Sequence, residues 1–282
     1  MKRILVAGSF DDYRCGHARF LQEAHRLGEV CVLLWSDRVV AAVTGSAPRF
    51  PEAERSYLVR TNRYVTAVTV ADDIDTAPQS GYTPSKALIG AIEPDIWLDT
   101  RENQGRAVFC SKQGLIYRVL DEGGLDGCPE HDYGGGDLEI GEGAIPARKV
   151  VATGCFDWFH SGHVRFFEEA SAYGELYVVV GSDENVRMLK GEEHPLFPQA
   201  ERRYLVGSVR YVSRALVSSG SGWMDAEPEI AALKPDLYVV NEEGDRPEKR
   251  EFCRDHDLEY RVLKRTPKEG LSPRSSTVLR GF

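Results

Sequence analysis

The sequence has no surplus of basic charge: 35 Lys and Arg stand against 44 Asp and Glu, a formal net charge of -9. That balance argues against a nucleic-acid partner held on a broad basic surface, because neutralising phosphates takes clustered Lys and Arg. It leaves room for a small anionic ligand, since a single pocket can be basic within an acidic whole. Cysteine is sparse. The six, at positions 15, 31, 110, 128, 155 and 253, form no CxxC pair and no disulfide framework, which fits a reducing, cytoplasmic setting. Cys128 and His131 in GCPEHDYGGG are only two candidate ligands, short of a metal site, and read as loop. No membrane span is expected. The opening MKRILVAGSF meets charge by Asp11, so its apolar run is too short for a span or a signal peptide and reads as a first strand.

What is present is globular composition, 42% apolar and 28% charged, in 282 residues, a length that suits two domains with a core each. An internal repeat supports two. GSFDDYRCGHARFLQEA from Gly8 and GCFDWFHSGHVRFFEEA from Gly154 agree at nine of seventeen positions. FPEAERSYLVRTNRYV from Phe50 and FPQAERRYLVGSVRYV from Phe197 agree at eleven of sixteen. Ser80-Gly81-Tyr82 pairs with Ser221-Gly222-Trp223, and Pro94-Asp95-Ile96-Trp97-Leu98 with Pro235-Asp236-Leu237-Tyr238-Val239. The offsets, 146, 147 and 141, are nearly constant and far longer than the roughly 20 to 50 residues of a structural repeat, so a whole domain is duplicated.

Each copy alternates apolar runs with stretches of helical periodicity, the pattern of a parallel sheet covered on both faces. The expected organisation is two tandem Rossmann-like α/β domains. A first copy spans residues 1–122, a Gly-rich linker 123–147, and a second copy 148–282.

The chemistry concentrates at the first strand-to-helix turn of the second copy, GCFDWFHSGH. Gly154 is expected to let the chain turn sharply, and Gly162 to let backbone N–H groups approach a ligand. His160 and His163 stand at a helix start, where anions are favoured and imidazoles can stabilise phosphate oxygens in a transition state.

Residues 154 to 163 resemble the signature of the nucleotidyltransferase superfamily that includes the cytidylyltransferases of phospholipid precursors and several adenylyltransferases. Arg265-Thr266, Ser275-Ser276-Thr277 and Arg280 resemble its second signature, which binds the triphosphate. The resemblance implies that His160 and His163 stabilise the α-phosphorus transition state and that Lys190 reaches the phosphates of both substrates. It implies nucleotide contacts from Gly154, Cys155, Phe156, Asp157, Gly162, Asn241, Arg265, Thr266, Ser275, Ser276, Thr277 and Arg280. Arg202 and Trp223, with Tyr204 and Arg246 beside them, are the candidates for the acceptor. Mg²⁺ is expected to arrive with the triphosphate, with no dedicated protein metal site.

The implied reaction moves CMP from CTP to a phosphorylated or phosphonate small molecule, releasing pyrophosphate. Trp158 after the signature Asp is closer to the cytidylyltransferase pattern. An adenylyltransferase using ATP and a non-catalytic nucleotide-binding sensor stay open as alternatives. The tandem layout resembles that of the ethanolamine-phosphate cytidylyltransferases, which implies a monomeric pseudo-dimer, with a homodimer as the other possibility. The first copy departs from the signature. Arg14 stands where the first histidine belongs, AAVTGSAP lacks the lysine, and no second signature follows Leu98, so this copy reads as degenerate.

Overall fold

The structure, a computed structural model, describes residues 1–133 and 148–280. The chain divides into two compact units, Met1–Gly127 and Cys128–Phe282. The first runs β1 (Arg3–Gly8), α1 (Cys15–His25), β2 (Glu29–Trp35), α2 (Asp37–Thr44), α3 (Glu52–Arg60), β3 (Val65–Ala71), α4 (Lys86–Ile92), β4 (Ile96–Asp99), α5 (Gln104–Gln113) and β5 (Ile116–Val119). The second repeats it: β6 (Lys149–Gly154), α6 (Ser161–Ser171), β7 (Glu175–Val180), α7 (Asp183–Lys190), α8 (Gln199–Gly207), β8 (Arg214–Val217), α9 (Glu227–Leu233), β9 (Leu237–Asn241), α10 (Pro247–Asp255) and β10 (Glu259–Leu263). A short α11 (Ser276–Arg280) is added at its end.

Both sheets are parallel and have the same order, β3-β2-β1-β4-β5 and β8-β7-β6-β9-β10. The two units are tandem Rossmann-like domains, as the repeat implied. Their central strands are buried on both faces. Ile4, Leu5 and Val6, like Val150, Val151 and Ala152, are at most 1% exposed, which is why these strands read as continuous apolar runs without alternation. One core cluster in each unit is built on the same positions: Leu5, Leu33, Trp97 and Cys110 in the first, Val151, Val179, Tyr238 and Cys253 in the second.

The strand order reverses direction beside the first strand of each sheet. In the second unit that places a crevice at the carboxyl ends of β6 and β9, where ligands of open α/β sheets bind.

Two parts of the expected linker belong to the units themselves. Gly124 accepts a hydrogen bond from Arg19 at 2.6 Å within the first. In the second, His131 is buried, stacks on Tyr204 at 4.3 Å and lies 2.7 Å from the Tyr204 carbonyl oxygen. The remainder of the expected linker, 134–147, lies outside the described residues.

Candidate active site

The turn after β6 is set by three residues, Gly154, Phe156 and Asp157. Phe156 takes the left-handed conformation, φ 52°, at the place where a glycine would be easiest. The bend therefore falls on Phe156, not on Gly154 as expected. Gly154 is needed for space, because a Cβ there would sit 2.8 Å from the Phe156 ring. Asp157 closes the turn by accepting from the backbone N–H groups of Leu196 and Phe197 at 2.7 and 3.0 Å.

Arg202 lies beneath. It is 1% exposed and donates to the carbonyls of Phe197, Cys155 and Gly181 and to Asp183. Its donors are engaged inside the unit and it does not line the pocket, so the structure gives it a bracing role in place of the expected acceptor contact. Tyr204 is likewise withdrawn, fully buried against His131.

The crevice above the turn is a pocket of about 360 Å³. It gathers His160, His163, Lys190, Gly154, Cys155, Phe156, Asp157, Asn241, Arg265, Ser275, Ser276, Thr277, Arg280 and Trp223. Gly162 and Thr266 line an adjoining pocket of about 280 Å³, shared with Arg265, Asn241 and Ser275.

The histidine rings stack at 3.8 Å with 19° between their planes. His160 is the N-cap of α6: its Nδ1 accepts from the Gly162 N–H at 3.1 Å. A Cβ on Gly162 would press to 2.9 Å from that ring, so glycine is required there for close approach. Burial first, then the positive charges of Arg265 and Arg274, push the His160 pKa down to about 3. His163 is held well below 6.5, again by burial first, then by His160, Arg265 and Lys190. Both rings are therefore neutral near pH 7. A neutral His160 whose Nδ1 accepts carries its proton on Nε2. That Nε2 is buried with no partner among the described residues, as is Nδ1 of His163. Buried polar atoms without partners are rare and costly.

The second signature folds back over the turn. Ser276 donates to the Trp158 carbonyl at 3.2 Å. Arg280 pairs with Asp157 at 3.4 Å and also contacts His194 and the Glu193 carbonyl. Arg265 pairs with Glu243. Asn241 caps the turn at residues 242–244, accepting from Gly244 N–H at 2.8 Å. Lys190, at the end of α7, faces the pocket and is exposed. Trp223 is 40% exposed and carries the Arg246 guanidinium 4.6 Å from its ring centre. The ring of Trp158 packs edge-on against Phe197 and does not line the pocket.

Ionisable and amide residues of the pocket that the sequence did not single out include Asn185, His194, Asp225 and Lys249. None sits in a recognisable motif, and only the fold brings them to the crevice. Among the described residues no group of three or more His, Cys, Asp or Glu is placed to hold a metal ion. No helix among them is long and apolar enough to cross a membrane.

A family model described as cytidylyltransferase-like matches residues 5–108 and 151–269, one segment in each unit. The chain belongs to the cytidylyltransferase-like family. Members similar to it include the FAD synthase of Archaeoglobus profundus, 36% identical over 132 residues, which are 46% of this chain and 81% of that protein. The FAD synthase of Methanopyrus kandleri is 38% identical over 106 residues, 36% of this chain and 67% of that protein. The bifunctional protein HldE of Nitratiruptor sp. is 33% identical over 117 residues, 41% of this chain and only 24% of that protein. Each of these matches is about the length of one cytidylyltransferase-like unit.

Proposed function

We propose that the second unit transfers a nucleotidyl group from a nucleoside triphosphate to a phosphorylated or phosphonate small molecule. An oxygen of the acceptor attacks the α-phosphorus, the bond between the α-phosphorus and its bridging oxygen to the β-phosphate breaks, and pyrophosphate leaves with that oxygen. No covalent enzyme intermediate is needed. The observation that carries this reading is the buried, neutral, unpartnered Nε2–H of His160, stacked on His163 in the pocket. A donor already aligned and already dehydrated gives more to an oxygen that gains charge in the transition state than to the same oxygen in the ground state. Lys190, Arg265, Ser276, Thr277 and Arg280 supply further phosphate contacts in this reading, and Arg280 must exchange part of its pairing with Asp157 for the ligand. Mg²⁺ accompanies the triphosphate.

CTP is the donor implied by the resemblance of the signature turn. The ATP reading is favoured by one specific observation, that relatives matched over two thirds or more of their length are FAD synthases, whose product contains an adenine nucleotide. Trp158 supports CTP only through the resemblance of the signature turn, since its ring packs on Phe197 outside the pocket. The first unit is proposed to be catalytically degenerate and the setting cytoplasmic.

Pyrophosphate release with CTP and with ATP, against a panel of phosphate and phosphonate acceptors, tests the reading. Release with one nucleotide and at least one acceptor supports it and names the donor. Tight nucleotide binding with no release across the panel makes the protein a sensor instead.

A further inference from the structure

One end of the pocket holds a lysine that the reaction above does not use. Lys249 is 7% exposed, lines the crevice, donates to Thr153 Oγ1 at 3.0 Å and lies 5.6 Å from the centre of the Tyr238 ring. Burial lowers its pKa to about 8, with Asp225 opposing that shift and Arg246 adding to it. No carboxylate pairs with it among the described residues.

The first unit shows what usually fills such a position. Arg106 is its counterpart: each is the third residue after the N-cap of its helix, Asn103 or Arg246. Each lies over the aromatic ring of the neighbouring strand, Arg106 on Trp97 at 5.2 Å. Arg106 is also buried, but it is paired with Asp99, the last residue of β4. In the second unit the residue at that place, four after the shared Pro-Asp pair and two after Tyr238, is Val240. The cation has been kept, and the carboxylate that pairs with it in the first unit has been replaced by an apolar residue; Asp225, in the same pocket, acts on it without pairing. A buried ammonium with no carboxylate paired to it is costly, and the cost is tolerated where a ligand supplies the paired charge.

We infer that Lys249 anchors a carboxylate of the acceptor, so that the acceptor carries a carboxylate in addition to the phosphate or phosphonate that attacks. Asp225 nearby favours a singly charged carboxylate over a second phosphate, because the greater negative charge would be repelled more strongly. Arg246, stacked on Trp223 at the rim, adds positive charge to the same end of the pocket. This inference rests on the transfer reading, since it places the anchored molecule as that reaction's acceptor.

The test uses matched probes that differ by one carboxylate: 3-phosphoglycerate against glycerol 3-phosphate, and O-phosphoserine against O-phosphoethanolamine. Binding of each to the full-length protein is measured by titration calorimetry, beside pyrophosphate release. The wild type is expected to bind at least one carboxylate-bearing probe about tenfold or more tighter than its partner. Lys249→Met should erase that preference, and Lys249→Arg should retain part of it. Val240→Asp, which restores the first unit's internal counter-charge while leaving the lysine in place, should erase it as well. Equal binding within both pairs, no binding of any probe, or a preference that survives in folded Lys249→Met overturns the inference. A carboxylate preference in binding with no pyrophosphate release leaves the anion subsite standing and sinks the transfer reading. Release with equal KM across each pair does the reverse.

Discussion

Arg55 in the first unit and Arg202 in the second occupy the same place and make the same bonds. Arg55 donates to the carbonyls of Phe50, Ser9 and Trp35 and pairs with Asp37. Arg202 donates to those of Phe197, Cys155 and Gly181 and pairs with Asp183. Asp11 and Asp157 match too, each accepting from two successive backbone N–H groups ahead of the following helix. Phe10 and Phe156 share a left-handed backbone, at φ 48° and 52°. The two turns are thus built alike, although only the second has the histidine pair. Residues kept in both turns are the ones the turn can need in order to fold, and by that criterion Arg202 and the backbone-accepting oxygen of Asp157 brace the fold. His160, Lys190 and the residues of α11 have no counterpart in the first copy, whereas His163 does, as His17, so on the proposed reading its role in the chemistry depends on the ring it stacks with.

The largest effect should come from the shared brace, and it should be equal in both units. Arg202→Met and Arg55→Met each leave several buried carbonyls without donors, a loss of about 3 kcal/mol in the unit concerned. Hydrogen exchange resolved by unit would measure it. A large loss in the second unit beside a negligible one in the first would break the equivalence and return Arg202 to a functional role.

Next in size is the asymmetry in chemistry. His163→Ala should lower turnover about 10²-fold, equivalent to about 2.7 kcal/mol of transition-state stabilisation, whereas His17→Ala should leave it within a few-fold of wild type. Steady-state pyrophosphate release reads both. Comparable losses would mean that the first unit takes part in the reaction.

The smallest effect is a difference in acid sensitivity. His160, held at about 3 when folded, meets an unfolded value near 6.5, so the unfolded chain binds the extra proton between these values. Its contribution to stability is full above about pH 6.5 and is lost progressively as pH falls toward 3. In the first unit that position is held by Arg14 and not by an imidazole. The ligand-free second unit should therefore lose up to about 1.4 kcal/mol more per pH unit across this window. His160→Gln should flatten the difference in urea unfolding followed from pH 7 to 5. An unchanged slope in that variant would show that the ring is not held neutral.

The duplication, the parallel-sheet class and the signature turn were legible because each is carried by residues close together in the chain. A strand, a turn and a helix start within seventeen residues leave a local pattern of apolar spacing and glycine placement. The second signature was legible for the same reason, although its residues reach the pocket only because α11 folds back onto Trp158 and Asp157. Arg202 was misjudged because its partners lie 5, 19, 21 and 47 positions away, and no local pattern distinguishes an arginine that braces from one that binds. His131 lies in a loop as it read; that the loop is packed was not legible, because its packing partner, Tyr204, is 73 residues on.

Sequence alone determined that two copies of one α/β domain exist and that the second alone carries the paired histidines, the lysine and the second signature, since composition, order and spacing are properties of the chain. Tertiary structure decided which of those residues face the crevice and which are consumed in holding it. It also decided the protonation of the histidines, because the removal of water that keeps both rings neutral exists only once α6 is packed. The isolation of Lys249 is of the same kind: a missing counter-charge at Val240 has meaning only when strand and helix are brought side by side.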